Sequence, residues 1–149
     1  TCALPIFVPG VTKWGFHGFK KGQLMINARA ETVEEKKTFS KAFRETRCVF
    51  PLSGFYEWDS EKRKLLFTSS ESDVFYLGGF YRIHKTGAGF ETESIIMTTK
   101  ANESVSSIHD RMPLIIQKDH IEKWITELDF ARNYLTAGMP ELCRTEVTK

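Results

Sequence analysis

Three groups of polar residues interrupt stretches that otherwise look like apolar strands: Asn27 with Arg29, Glu57 within Gly54-Phe55-Tyr56-Glu57-Trp58, and His109 with Asp110 and Arg111. An amide, a carboxylic acid and an imidazole form a set that can orient a nucleophile, move protons and steady a charged intermediate. Glu57 stands between large aromatics, and apolar walls disfavour an ionised carboxyl group and raise its pKa, which suits proton transfer near neutrality. Each residue also has a plain structural explanation. Strand alternation would send Phe55 and Glu57 to one face and Tyr56 and Trp58 to the other, making Glu57 an outward-facing strand residue. Asn27 can close a turn, Arg29 can pair with a surface acid, and His109 can be a satisfied, half-buried side chain.

A second set could hold a polyanion. Trp14, Phe16, Lys20, Lys21, Arg29 and Arg111 offer flat rings and cations, the combination that grips single-stranded nucleic acid by stacking and phosphate contacts. Aromatics near strands are also the commonest core material, so the same rings fit an interior. No GxSxG elbow, Walker loop or HExxH helix is present, and the common hydrolase, nucleotide and zinc-protease readings lose ground. The cysteines, Cys2, Cys48 and Cys143, are odd in number, include no CxxC pair and have no His at zinc-site spacing. That pattern suggests neither a disulfide framework nor a structural metal, implies no cofactor, and fits a reducing compartment.

The chain has 149 residues, 41% hydrophobic and 27% charged, which fits one soluble domain spanning 1–149 with an ordinary core. A net charge of +2 leaves the choice of partner to local patches. The apolar run near the start is too short for a signal peptide or a membrane span, so a cytoplasmic protein without membrane association is expected.

The elements that must position these groups follow from pattern. Ala3 to Val8, bracketed by prolines, is at best an edge strand. Leu24 to Ile26 reads as a buried strand, and Thr32 with Glu35 as a capping box opening a helix at about Val33 to Glu45. Arg47 to Ser53 and Tyr56 to Asp59 read as strands, with Leu65 to Ser69 as hairpin partner. Gly78-Gly79 inside the strand Val74 to Ile83 suggests a bulge or bend. Ser94 to Thr99 is the clearest buried strand, and Leu114 to Ile116 is another. Asp119 should cap a helix whose Ile121, Trp124, Ile125 and Leu128 recur at helical spacing, placing Trp124 in the core, and a short helix from Asp129 should end at Gly138. Many strands with helices set apart argue for an α+β fold with a strongly curved, barrel-like, mixed or antiparallel sheet and a few peripheral helices.

Trp14-Gly15-Phe16, Asn27-Ala28-Arg29-Ala30-Glu31-Thr32, Arg47-Cys48 with Pro51 and Gly54-Phe55-Tyr56-Glu57-Trp58, and Ile108-His109-Asp110-Arg111-Met112-Pro113 occur in that order. Together they resemble the SRAP family, the SOS-response-associated peptidases that shield abasic sites in DNA, over about Lys13 to Trp124. The resemblance implies an SRAP-like fold and a protein that binds single-stranded DNA and captures an abasic site covalently. In that family the amine of an N-terminal cysteine condenses with the sugar aldehyde and its thiol closes a thiazolidine; an α-amine with a pKa near 8 is partly neutral at pH 7. By the same resemblance Asn27 would orient the cysteine terminus, Glu57 would shuttle protons, and His109 would steady the sugar or phosphate. Arg29 and Arg111 would hold flanking phosphates, and Trp14 and Phe16 would stack beside the unpaired base. It also implies a self-processing peptidase activity, with a non-catalytic single-strand-binding module as the alternative. A monomer associated with the nucleoid when bound to DNA is expected.

The family opens Cys-Gly-Arg well ahead of its WGF motif, whereas this chain opens Thr1-Cys2-Ala3-Leu4 shortly before Trp14. Cys2 does not match, and the expectation is that the native N-terminal segment, nucleophile included, is absent from this sequence, or that the chain is a divergent member that binds without crosslinking.

Overall fold

A computed structural model describes residues 7–18 and 20–148. Cys2 and most of the edge strand expected at Ala3 to Val8 lie outside the described residues. The strands are β1 (Lys13–Trp14), β2 (Phe16–His17), β3 (Leu24–Met25), β4 (Asn27–Arg29), β5 (Arg47–Leu52), β6 (Phe55–Trp58), β7 (Lys64–Ser69), β8 (Phe75–Thr86), β9 (Gly89–Lys100), β10 (Arg111–Pro113), β11 (Ile115–Ile116) and β12 (Leu142–Glu146). The helices are α1 (Lys37–Glu45), α2 (Glu103–Ser106), α3 (Ile121–Thr126) and α4 (Leu128–Tyr134). The fold is α+β, as the sequence predicts. Seven strands form one mixed sheet, β12-β7-β6 form a second, and β2-β3 make a small hairpin; no ring of pairings closes a barrel among the described residues.

The long hairpin of β8 and β9 is the spine. The two strands pair from Thr86 and Gly89 as far as Gly79 and Ile96, and there they part. The segment from Arg111 to Ile116 fills the fork, with β10 running against β9 and β11 against β8. Gly79 sits at the branch point, where an added Cβ would lie 2.2 Å from the Ile95 carbonyl oxygen and 2.6 Å from the Phe50 ring. The β5–β8 ladder runs through it residue for residue, so close approach explains the paired glycines, and of the bulge or bend expected from them the bulge is not formed.

Two cores result. The first, under the helices, holds Phe16, Val33, Phe39, Phe43, Phe80, Ile95, Met97 and Trp124. The second, between the two larger sheets, holds Leu65, Phe67, Phe75, Leu77, Met112 and Ile115, with Phe50, Phe55, Ile96 and Ile108 against it. Arg47 is buried beside the first and donates to the carbonyls of Phe43, Arg44, Trp124 and Ile125, at the C-terminal ends of α1 and α3. A guanidinium there satisfies carbonyls that end without intrahelical partners and complements both helix dipoles.

Several local expectations change. Burial of Ala30 and Val33 draws the chain into a 3-10 turn at Ala30–Thr32, so α1 starts at Lys37 and not at the predicted capping box. A 3-10 turn at Lys118–His120 precedes α3, whose cap residue is His120 and not Asp119; extended backbone at Glu127 ends it at Thr126, so Leu128 opens the second expected helix, which stops at Tyr134, short of Gly138. Leu24 and Ile26 are exposed, because the hairpin they belong to lies against the sheet only through its other face. Trp124 is fully buried, as its spacing predicts.

Candidate nucleic-acid interface and its polar cluster

In β4, Ala28 packs into the first core, so alternation turns Asn27 and Arg29 to the opposite side of the sheet, that of the second core. Their partners on β9 are Ile96 and Thr98, and Ile96 packs on that core. On the facing sheet Phe55 and Glu57 register with Phe67 and Leu65, two buried members of the same core. Glu57 is therefore half-buried on the inner face of β6, and it is Tyr56 and Trp58 that face outwards. The outward placement available to Glu57 from alternation is not the one adopted, and its aromatic neighbours in sequence are not its walls. His109 follows Ile108, which also packs on the second core, and precedes β10. Asn27, Glu57 and the residue before His109 thus lie on the second-core side of the large sheet, the small sheet and the fork respectively, with Asn27 and His109 themselves exposed and Glu57 half-buried.

His109 Nδ1 accepts the backbone N–H of Arg111 at 3.0 Å and lies 3.2 Å from Asp110 Oδ1. In a neutral ring an accepting Nδ1 leaves the proton on Nε2, which is then free to donate outwards. Arg111 forms a two-pronged bond to Glu31, Nη1 to Oε1 at 2.7 Å and Nη2 to Oε2 at 2.8 Å. The Arg111 guanidinium, with the Arg29 charge nearby, holds the Glu31 carboxyl below its ordinary value of 4.5. Glu31 is a partner that the motif reading passed over, and its place two residues after Arg29 is the only sequence signal for it.

Trp14 and Phe16 separate. Gly15 has φ of 106°, in the left-handed region that glycine enters freely, and its N–H donates to the Ser94 carbonyl at 2.8 Å. The turn breaks alternation, leaving Trp14 56% exposed and Phe16 fully buried. Trp14 is held in place by its indole N–H, which donates to the Ile26 carbonyl at 2.9 Å. Phe16 sits among Phe39 and Phe80 with the Arg82 guanidinium 4.3 Å from its ring centroid. The expectation that Phe16 stacks on a base is corrected: it is a core ring. A different pair of rings is available on the small sheet, where Lys64 Nζ lies 3.8 Å from the Tyr56 centroid and 5.9 Å from that of Trp58.

Behind the Trp14 turn lies a buried acid. Glu93 is wholly inaccessible, hydrogen-bonded to His17 Nδ1 and to Arg82 Nε at 2.8 Å. Burial alone would raise its pKa, but the bonds from His17 and Arg82 outweigh that and the net shift is downward. Arg82 also donates to the His17 carbonyl at 2.7 Å, so the buried acid and its arginine clamp β2 to the sheet. His84, Glu91 and Glu93 bring donor atoms within 4.8 Å of one another, a set that could hold a metal ion. Its two carboxylates already hold cations, Arg82 on Glu93 and Lys13 on Glu91. Cys48 is a poor nucleophile here, since burial pushes its thiol up to about 12.

The family model described as SOS response associated peptidase (SRAP) matches residues 7–146. The abasic site processing protein YoaM of Bacillus subtilis is 36% identical over 136 residues, a match covering 85% of this chain and 60% of that protein. The abasic site processing protein YedK of Escherichia coli is 26% identical over 121 residues, covering 76% and 53% respectively. The chain thus spans about three fifths of the length of the Bacillus relative. A crystal structure of a Bordetella bronchiseptica protein shares the fold with a TM-score of 0.80 at 21% identity, over 93% of this chain and 76% of that one. A Bacteroides thetaiotaomicron protein superposes with a TM-score of 0.74 at 24% identity, over 83% and 58%. Among the described residues no helix is long and apolar enough to cross a membrane.

Proposed function

The chain belongs to the SRAP family of SOS response associated peptidases, and from that premise we propose that it processes abasic sites in DNA, engaging the lesion in a single strand and capturing it covalently. The relatives' names support the DNA-lesion part of this reading. What supports the rest is strand facing: Asn27 on β4 and Glu57 on β6 lie on the second-core side of their sheets, and Ile108, the residue before His109, packs on the same core, while Trp14 and Arg29 are exposed.

The chemistry needs an amine next to a thiol. The amine of an N-terminal cysteine attacks the open-chain sugar aldehyde, water leaves as the imine forms, and the thiol adds across the imine to close a thiazolidine. No oxidant or reductant is consumed. Glu57, half-buried on β6, is suited to carry the protons lost and gained at the aldehyde oxygen. His109 would present its Nε2–H to the sugar oxygen or phosphate, and Asn27 would orient the cysteine terminus. Arg29, which is exposed, would hold a flanking phosphate while Trp14 stacks beside the gap, whereas the phosphate role expected of Arg111 is displaced by its fork to Glu31 and its bond to Thr98. The scheme calls for a nucleophilic N-terminal cysteine, and release of a leader residue from it would be the peptidase step.

The test uses the protein with its gene-encoded N-terminus and a single-stranded oligonucleotide carrying one abasic site. The expected result is an adduct that survives denaturing electrophoresis and is lost on Glu57→Gln. Binding equally tight to intact and abasic strands, with no adduct, would support a non-catalytic module instead.

A further inference from the structure

Glu31 has no part in the scheme above, yet its position is unusual. It follows β4 in the 3-10 turn, and its fork to Arg111 joins residues 80 positions apart in sequence. Arg111 Nη2 also donates to the Thr98 carbonyl at 2.8 Å. Thr98 is the β9 residue that pairs with Arg29 on one side and with Pro113 on the other. The bridge therefore crosses over β9 where the strand bearing Asn27 and the segment leading from His109 flank it. Arg111 then passes the constraint on, since its backbone N–H is the donor to His109 Nδ1.

An ion pair between two free surface side chains contributes little. This one differs in geometry, being bidentate, anchored to backbone at Thr98, and mostly covered on the arginine side, where 17% of the side chain is exposed.

We propose that Glu31 is a positioning residue that, through Arg111, sets the placement of the His109 turn relative to the Asn27–Arg29 strand and so governs the rate of the covalent step more than the affinity for DNA. The inference rests on the functional reading above. Charge alone predicts the opposite of positioning: removing a carboxylate beside a polyanion should tighten binding and speed reaction at low DNA concentration.

The experiment measures adduct formation against concentration of abasic single strand for the protein with its gene-encoded N-terminus. Glu31→Ala should lower the saturating rate about tenfold or more, the scale on which small misplacements act, while half-saturation stays unchanged or falls. Glu31→Asp should restore part of the rate. Arg111→Lys, which keeps charge but loses the fork, should slow the step similarly, and the Glu31→Ala, Arg111→Lys double variant should be little worse than either alone. A saturating rate for Glu31→Ala at or above wild type would overturn the proposal. Amide hydrogen exchange supplies a readout independent of the reaction: the Arg29 and Arg111 amides should exchange faster in Glu31→Ala, and unchanged exchange would overturn the bridge. Should wild type form no adduct, the functional reading fails, and exchange alone decides whether Glu31 holds the two strands.

Discussion

Glu93 and Glu31 are both glutamates held by an arginine below the ordinary carboxylate range, but they sit in opposite settings. Glu93 is sealed, with His17 and Arg82 filling its lone pairs and burial working against its charge. Glu31 stands at an open face with its side chain 49% exposed, and its fork to Arg111 is the main cause of its shift. A sealed pair cannot exchange partners without unfolding its surroundings, so its role is to fix the β2–β3 hairpin. An open pair remains within reach of a phosphate or a sugar, so its geometry can matter to a reaction while contributing little to stability.

The comparison breaks most sharply at the sealed end. Glu93→Ala leaves Arg82 without its counter-charge and His17 without its hydrogen-bond partner and should cost about 3 kcal/mol in urea unfolding; a loss below about 1 kcal/mol would show that the clamp is dispensable. The Trp14 turn gives an intermediate contrast. Phe16→Ala should cost roughly 3 kcal/mol of stability by opening a cavity. Trp14→Ala should leave stability within about 0.5 kcal/mol and weaken single-strand binding by about 1–3 kcal/mol through lost stacking. Equal stability losses for the two would contradict the burial difference set by Gly15. The smallest effect belongs to Glu31. Because its folded pKa lies below 4.5, whatever the bridge contributes is complete above that value and disappears as pH falls through the lowered one. The stability difference between wild type and Glu31→Ala, below about 1 kcal/mol for so exposed a pair, should hold steady from pH 7 to about pH 5 and shrink as the pH falls through the lowered pKa.

What the sequence makes legible follows from how local each cause is. Ile121, Trp124 and Ile125 lie one helical turn apart, and the burial of Trp124 follows from that spacing alone. The strands around Cys48, Phe67, Ile95 and Ile115 were readable from apolar runs bounded by turns. Phe16 misleads because a single positive φ at Gly15 reverses the face on which it emerges, and the letters Trp-Gly-Phe do not carry that angle. The capping box at Thr32 yields to the burial of Ala30 and Val33, a tertiary demand on a local signal. Glu31 and Arg111, like His84 with Glu91 and Glu93, meet only through strand register, which spacing along the chain does not encode.

The fork in the spine gives His109 an unusual mounting. Its immediate followers are stitched into β9 and the next residues into β8, so the imidazole stands at the mouth of a seam with both lips sewn to it. A molecule pressing against that turn is backed by two long strands at once, although the exposed ring itself stays free to turn.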